Sequence, residues 1–136
     1  MVFAGMNYLA ILVAAVAGFV FAAAYYTILG KAWMAALGKT EAEVRAKSPL
    51  SFIIAAVAQL LMATMLAGIM GHLGEGQVTL RNGVVTAGFV WLGFVITTMA
   101  VNHTFQGAKR MLTVIDGAHW LGVLVVQGII IGLFGV

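Results

Sequence analysis

Four long stretches of this chain are apolar almost throughout: about Asn7 to Leu29, Leu50 to Gly71, Gly83 to Asn102 and Ile115 to Val136. A hydrocarbon core about 30 Å thick is crossed by about 20 helical residues, and each stretch meets that length. Within lipid, every backbone N–H and C=O must be satisfied inside the protein, which a helix does by itself. None of the four contains an internal proline. The pattern predicts an all-α polytopic membrane protein, a single domain over residues 1–136 with four transmembrane helices in an up-down antiparallel bundle. The run from Val2 to Leu29 has no basic segment before it and outlasts a signal-peptide core. It is read as a retained first span, even though Ala22, Ala23 and Ala24 mimic a cleavage site.

The polar segments between the stretches carry the rest of the pattern. Loop one, Gly30 to Pro49, holds Lys31, Lys39, Arg45 and Lys47 beside Glu41 and Glu43. Thr40 and Glu43 have capping-box spacing and predict a short surface helix. Trp33, Met34 and Leu37 suit the membrane interface, with Lys31 and Lys39 reaching to headgroups. Ser48 and Pro49 read as the N-cap and first residue of the second span. Loop two, His72 to Asn82, is glycine-rich, and loop three, His103 to Thr113, is basic. Loops one and three share a face if all four stretches span, and together they hold six cationic residues against Arg81 alone in loop two. The positive-inside rule then places residues 30–49 and 103–114 in the cytoplasm and both termini on the other side.

Composition sharpens this picture. The chain is 63% hydrophobic and 8% charged, with a mean hydropathy of +1.11. Soluble domains carry about 25% charged residues, so lipid must be the solvent for much of this exterior. The net charge of +3 does not point to nucleic acid, because the seven Lys and Arg lie in the loops, where they set orientation. The absence of cysteine excludes disulfides, thiolate metal sites and thiol catalysis.

Small residues form rows at intervals of four: Ala14, Gly18 and Ala22; Ala63, Ala67 and Gly71; Gly128 and Gly132. Such rows let helices approach closely in lipid, although Gly and Ala are also simply common in membrane helices. Asp116 is the sole acidic residue at or near a span and stands at the predicted start of the fourth. At about 100° per residue, His119 and Gln127 share its helical face. The ends of the first and third spans bring Tyr25, Tyr26, Asn102 and His103 to the same depth. The functional reading is a polar vestibule, ligand-binding or pore-lining, open to the cytoplasm. The structural reading has Asp116 capping its helix near Lys109 and Arg110, with the histidines and tyrosines as interfacial residues. The spacing of Asp116, His103 and His119 matches no metal signature, so no metal or other cofactor is expected. Gln59 and Gln127 lie near mid-membrane and need hydrogen-bond partners there. No charge at mid-depth argues against an ion-coupled pump. The eight methionines suit gap-filling better than copper binding.

The run MNYLAILVAAVAGFVFAAAYYTILGKAWMAALGKT and the closing run NHTFQGAKRMLTVIDGAHWLGVLVVQGIIIGLF resemble the bacterial four-span membrane family known as domain of unknown function 1761. Tyr25, Tyr26, Gly30, Lys31, Trp33, Phe105 and the Ile115-Asp116-Gly117 turn carry the likeness. The family's proline after the aromatic pair is missing here, where Thr27 and Ile28 stand. The resemblance implies a bacterial inner membrane protein and offers Met6 as an alternative start. It implies no activity. The expected function is homo-oligomeric binding or permeation of a small ligand, without catalysis. The alternative is an accessory or assembly subunit of a larger membrane complex, and an enzyme acting on lipid or quinone comes third.

Overall fold

The structure is a computed structural model that describes residues 5–45 and 49–136. The described residues form helices and connecting loops, with no strand among them. Four candidate membrane-spanning helices cover Tyr8–Ile28, Leu50–His72, Leu80–Phe105 and Arg110–Phe134. The first is α1, Tyr8–Ile28, with Asn7 accepting from the Ala10 N–H at 3.0 Å as its cap. The chain bends at Leu29 without a proline and continues as α2, Gly30–Leu37, which ends on Gly38 at φ 70°. The Thr40–Glu43 capping box forms and starts α3, Glu41–Arg45. Helix α4, Leu50–His72, begins where the second span was expected, but Pro49 precedes it rather than being its first residue, its carbonyl accepting the first helical bonds. The predicted cap Ser48 lies outside the described residues.

The third span is longer than its apolar core and is not uniform. It comprises α5, Leu80–Val90, a π-helical turn, Trp91–Val95, and α6, Ile96–Phe105. The turn has a packing cause. Trp91 donates from Nε1 to the Gly117 carbonyl at 2.7 Å, and a Cβ on Gly117 would meet Ile96 Cδ1 at 2.6 Å. In an α-helix, residues five apart point about 140° away from each other. In the π turn the Ile96 N–H bonds back to the Trp91 carbonyl, so both side chains reach one partner. Thr97 and Thr98 donate to the Gly93 and Phe94 carbonyls, so local hydroxyls serve the disturbed backbone.

The fourth span corrects the expected start. Helix α7, Arg110–Phe134, begins five residues ahead of Ile115, with Lys109 in extended backbone before it. Asp116 therefore sits in the second turn and caps nothing, and Ile115-Asp116-Gly117 is helix rather than turn. Asp and Gly are weak helix formers, but burial of Leu112, Ile115 and Gly117 against neighbouring helices outweighs that preference.

Helix α4 packs on α1, α1 on α7, and α7 on α5, all antiparallel, while α4 and α5 touch only lightly. The core joins Ile11, Ala14, Ala63, Leu66, Met70, Ala87, Leu124 and Ile131. At the loop-two end the helices meet on glycine. A Cβ on Gly83 would lie 2.0 Å from the Gly128 carbonyl oxygen, and one on Gly132 would lie 2.4 Å from that of Thr79. Of the three small-residue rows, Ala14, Gly18, Ala63, Ala67 and Gly128 are buried, while Ala22, Gly71 and Gly132 are half-buried. The Gly83–Ala87 pair belongs with them and has the same spacing of four.

Candidate functional site

The loop-one end is built differently. Because Tyr25 and Tyr26 are consecutive on α1, their hydroxyls reach consecutive residues of α7. Tyr25 donates to the Ile115 carbonyl at 2.6 Å, and Tyr26 donates to Asp116 Oδ1 at 2.6 Å. Almost one turn further along α7, the His119 ring lies 4.7 Å from Tyr26, 5.5 Å from Tyr25 and 4.5 Å from Trp120, centroid to centroid. Trp33 of α2 closes the group, 5.3 Å from Tyr26 and edge-on to it. Beneath α2, Ala36 packs on Leu112 and Ile115, and Lys109 Nζ donates to the Ala35 carbonyl near the α2 C-terminus at 3.2 Å. The interfacial helix is thereby fastened over the end of α7.

Beside this group lies a cavity of about 760 Å³ between α1 and α4, bounded outward by α2 and α3. Phe19, Tyr26, Trp33, Phe52 and Trp120 supply aromatic walls, and Asp116 and His119 stand in the wall formed by α7. At its mouth Arg45 pairs with Glu41 at 2.5 Å. At its deep end is Gln59, whose side-chain oxygen accepts from Gln127 Nε2 at 2.7 Å. Gly18 leaves the room for this pair, since a Cβ there would fall 2.3 Å from Gln59 Oε1. Gln59 and Gln127 therefore form the interhelical bond that mid-membrane amides require.

Among the described residues, two buried side chains keep unmatched polar atoms. Neither ring nitrogen of His119, a residue only 3% exposed, has a hydrogen-bond partner, nor does Oε1 of Gln127. Native proteins rarely leave such groups bare.

Of the predicted residues, Tyr25, Tyr26, Asp116 and His119 converge, and Gln127 reaches the cavity's deep end through Gln59. Asn102 is exposed, and His103 pairs instead with Thr113 at 2.8 Å across the loop-three turn. Among the described residues no three of His, Asp and Glu converge as metal ligands would. Trp33 and Phe52 as lining residues escaped sequence reasoning. For Trp33 a signal existed, because it follows Tyr26 by seven and so returns to the same face of a nearly continuous helix.

Residues 9–132 match a family described as a protein of unknown function, DUF1761. No curated protein and no solved structure matches the chain.

Proposed function

Since the chain belongs to the DUF1761 family, whose description carries no activity, we propose its function from the cavity: a non-catalytic membrane protein that binds a small lipophilic ligand between α1 and α4. The observation that carries this reading is an aromatic-walled space of about 760 Å³ with a carboxylate and an unpartnered imidazole in one wall. Small-molecule sites are concave, mostly apolar, about 300–1,000 Å³, and marked by a few polar groups. The lining residues all come from one copy, and the space stays open along the α1–α4 side. The Gln59–Gln127 pair fills the deep end, so passage across the bilayer would need several copies around a shared path.

The test is native mass spectrometry of protein taken directly from its membrane. Ala55 lines the cavity and is half-buried on α4, so Ala55→Trp fills the space without entering the helix core. A small molecule carried by the unaltered protein and absent from Ala55→Trp supports the reading. Identical spectra from the two proteins reject it.

We also propose that the cavity faces the cytoplasm of a bacterial inner membrane, with both termini periplasmic. The six-to-one division of cationic residues between the two loop faces supports this orientation. Reporter fusions at Gly74 are expected to report the periplasm and those at Thr40 the cytoplasm. Reversed or equal labelling would overturn it.

A further inference from the structure

We infer that the ligand is a lipophilic organic cation, held by the Asp116 carboxylate and the aromatic rings around it; this rests on the cavity being a ligand site.

The first argument is charge. Asp116 accepts one hydrogen bond, from Tyr26, and among the described residues no Lys, Arg or His lies within ion-pair distance of it. A carboxylate offers about four acceptor sites, so most of its capacity is open. The other charged groups lining the cavity, Glu41 and Arg45, pair with each other. Among the described residues that line the space, Asp116 thus carries the one unbalanced charge. His119 is near, but its nitrogens form no bond to the carboxylate and bond to nothing else. An unpaired carboxylate within a membrane helix is costly, and a cation supplied by the ligand removes that cost.

The second argument is the wall. Phe19, Tyr26, Trp33, Phe52 and Trp120 come from three different helices and a loop-one helix to surround one space. Aromatic faces are electron-rich and attract organic cations, most strongly where water is excluded. Aliphatic side chains would have served a neutral lipid tail equally well. A carboxylate beside many rings favours a cation with apolar substituents over an anion or a neutral molecule of the same size.

The probes are tetraphenylphosphonium, its isosteric anion tetraphenylborate, and neutral triphenylphosphine oxide. Each is titrated into the full chain in phosphatidylcholine nanodiscs, following Trp fluorescence. The Ala55→Trp protein measures partitioning into lipid alone. Tetraphenylphosphonium is expected to bind saturably and tetraphenylborate not at all. Asp116→Asn keeps the side-chain shape and should weaken phosphonium binding about tenfold or more relative to that of the phosphine oxide. Phe52 is 66% exposed, so Phe52→Leu spares the fold and should weaken phosphonium binding about threefold. Should Asp116→Asn not fold, the Phe52→Leu protein and the phosphonium–borate comparison decide the matter. Borate or phosphine oxide binding as tightly as phosphonium overturns the cation and leaves the cavity standing. So does phosphonium affinity unmoved by either substitution. If no probe distinguishes the unaltered protein from Ala55→Trp, the cavity reading falls, and the cation with it.

Discussion

The two ends of the bundle solve the problem of holding helices together in lipid by opposite means. At the loop-two end, α5 and α7 approach until the Gly83 and Gly128 backbones touch, and side chains are absent from the contact. At the loop-one end, α1 is held to α7 by two tyrosine hydroxyls and a cluster of tilted rings, and the α1–α4 side stays open. Bilayers offer no hydrophobic reward for helix association, so close backbone packing and hydrogen bonds must supply it. Backbone contact is short-ranged and leaves no room. Hydrogen bonds made by long side chains hold helices at arm's length, and the space so created is the cavity. Cohesion is concentrated in one half of the molecule and the candidate site in the other.

Glycine substitutions break this contrast most sharply. Gly83→Ala drives a methyl group into the Gly128 carbonyl, and backbone cannot swing aside. A loss of about 3 kcal/mol is expected, at the upper end for overpacking. Gly18→Ala meets the far end of the Gln59 side chain instead, and that side chain borders the cavity, into which it can turn. The expected loss is about 1 kcal/mol, comparable to one hydrogen bond. Gly88→Ala meets nothing within 4 Å and should cost nothing, gaining up to about 1 kcal/mol from helix propensity. Unfolding in mixed micelles orders the three. Equal losses for Gly83→Ala and Gly18→Ala would remove the distinction between the ends.

How much of this could be read along the chain depended on what carried the information. Span number, all-α class and antiparallel order follow from runs of apolar residues whose length is set by bilayer thickness, and the structure has them. The capping box at Thr40 and Glu43 was legible because its partners are three residues apart. The Gln59–Gln127 bond was foreseeable in kind, since an amide in lipid must find a partner. The start of α7 was not legible. Asp116 and Gly117 look like a helix beginning, and the neighbours that make them helix interior are 90 residues away, as in the Tyr26–Asp116 bond. The same distance explains Asn102, which shares a depth with Asp116 by counting but stands exposed on another helix. The π turn depends on Trp91 and Ile96 both finding Gly117, a contact that no local pattern announces.

The smallest expected effects separate the two tyrosines, which a change in stability alone would not distinguish. Tyr25 donates to a backbone carbonyl, and its hydroxyl only fastens α1 to α7. Tyr26 donates to the carboxylate that stands in the cavity wall, and its own ring lines that wall. Removing either hydroxyl should cost about 0.5–1.5 kcal/mol, the ordinary worth of one hydrogen bond, since hydrogen bonds between membrane helices are modest. The two substitutions therefore look alike in a thermal melt. They should part in ligand binding. Tyr25→Phe leaves the Asp116 carboxylate with its donor, so tetraphenylphosphonium affinity should hold. Tyr26→Phe keeps the ring and the wall but frees Oδ1, so the carboxylate loses its fixed position while gaining an open acceptor. Phosphonium affinity should then fall by about two- to fivefold relative to that of the neutral phosphine oxide. The measurement is the ratio of the two affinities in each variant. A ratio that moves equally in Tyr25→Phe and Tyr26→Phe would mean that both hydroxyls act only as fasteners, and that the end of the bundle with the cavity differs from the glycine end in spacing alone.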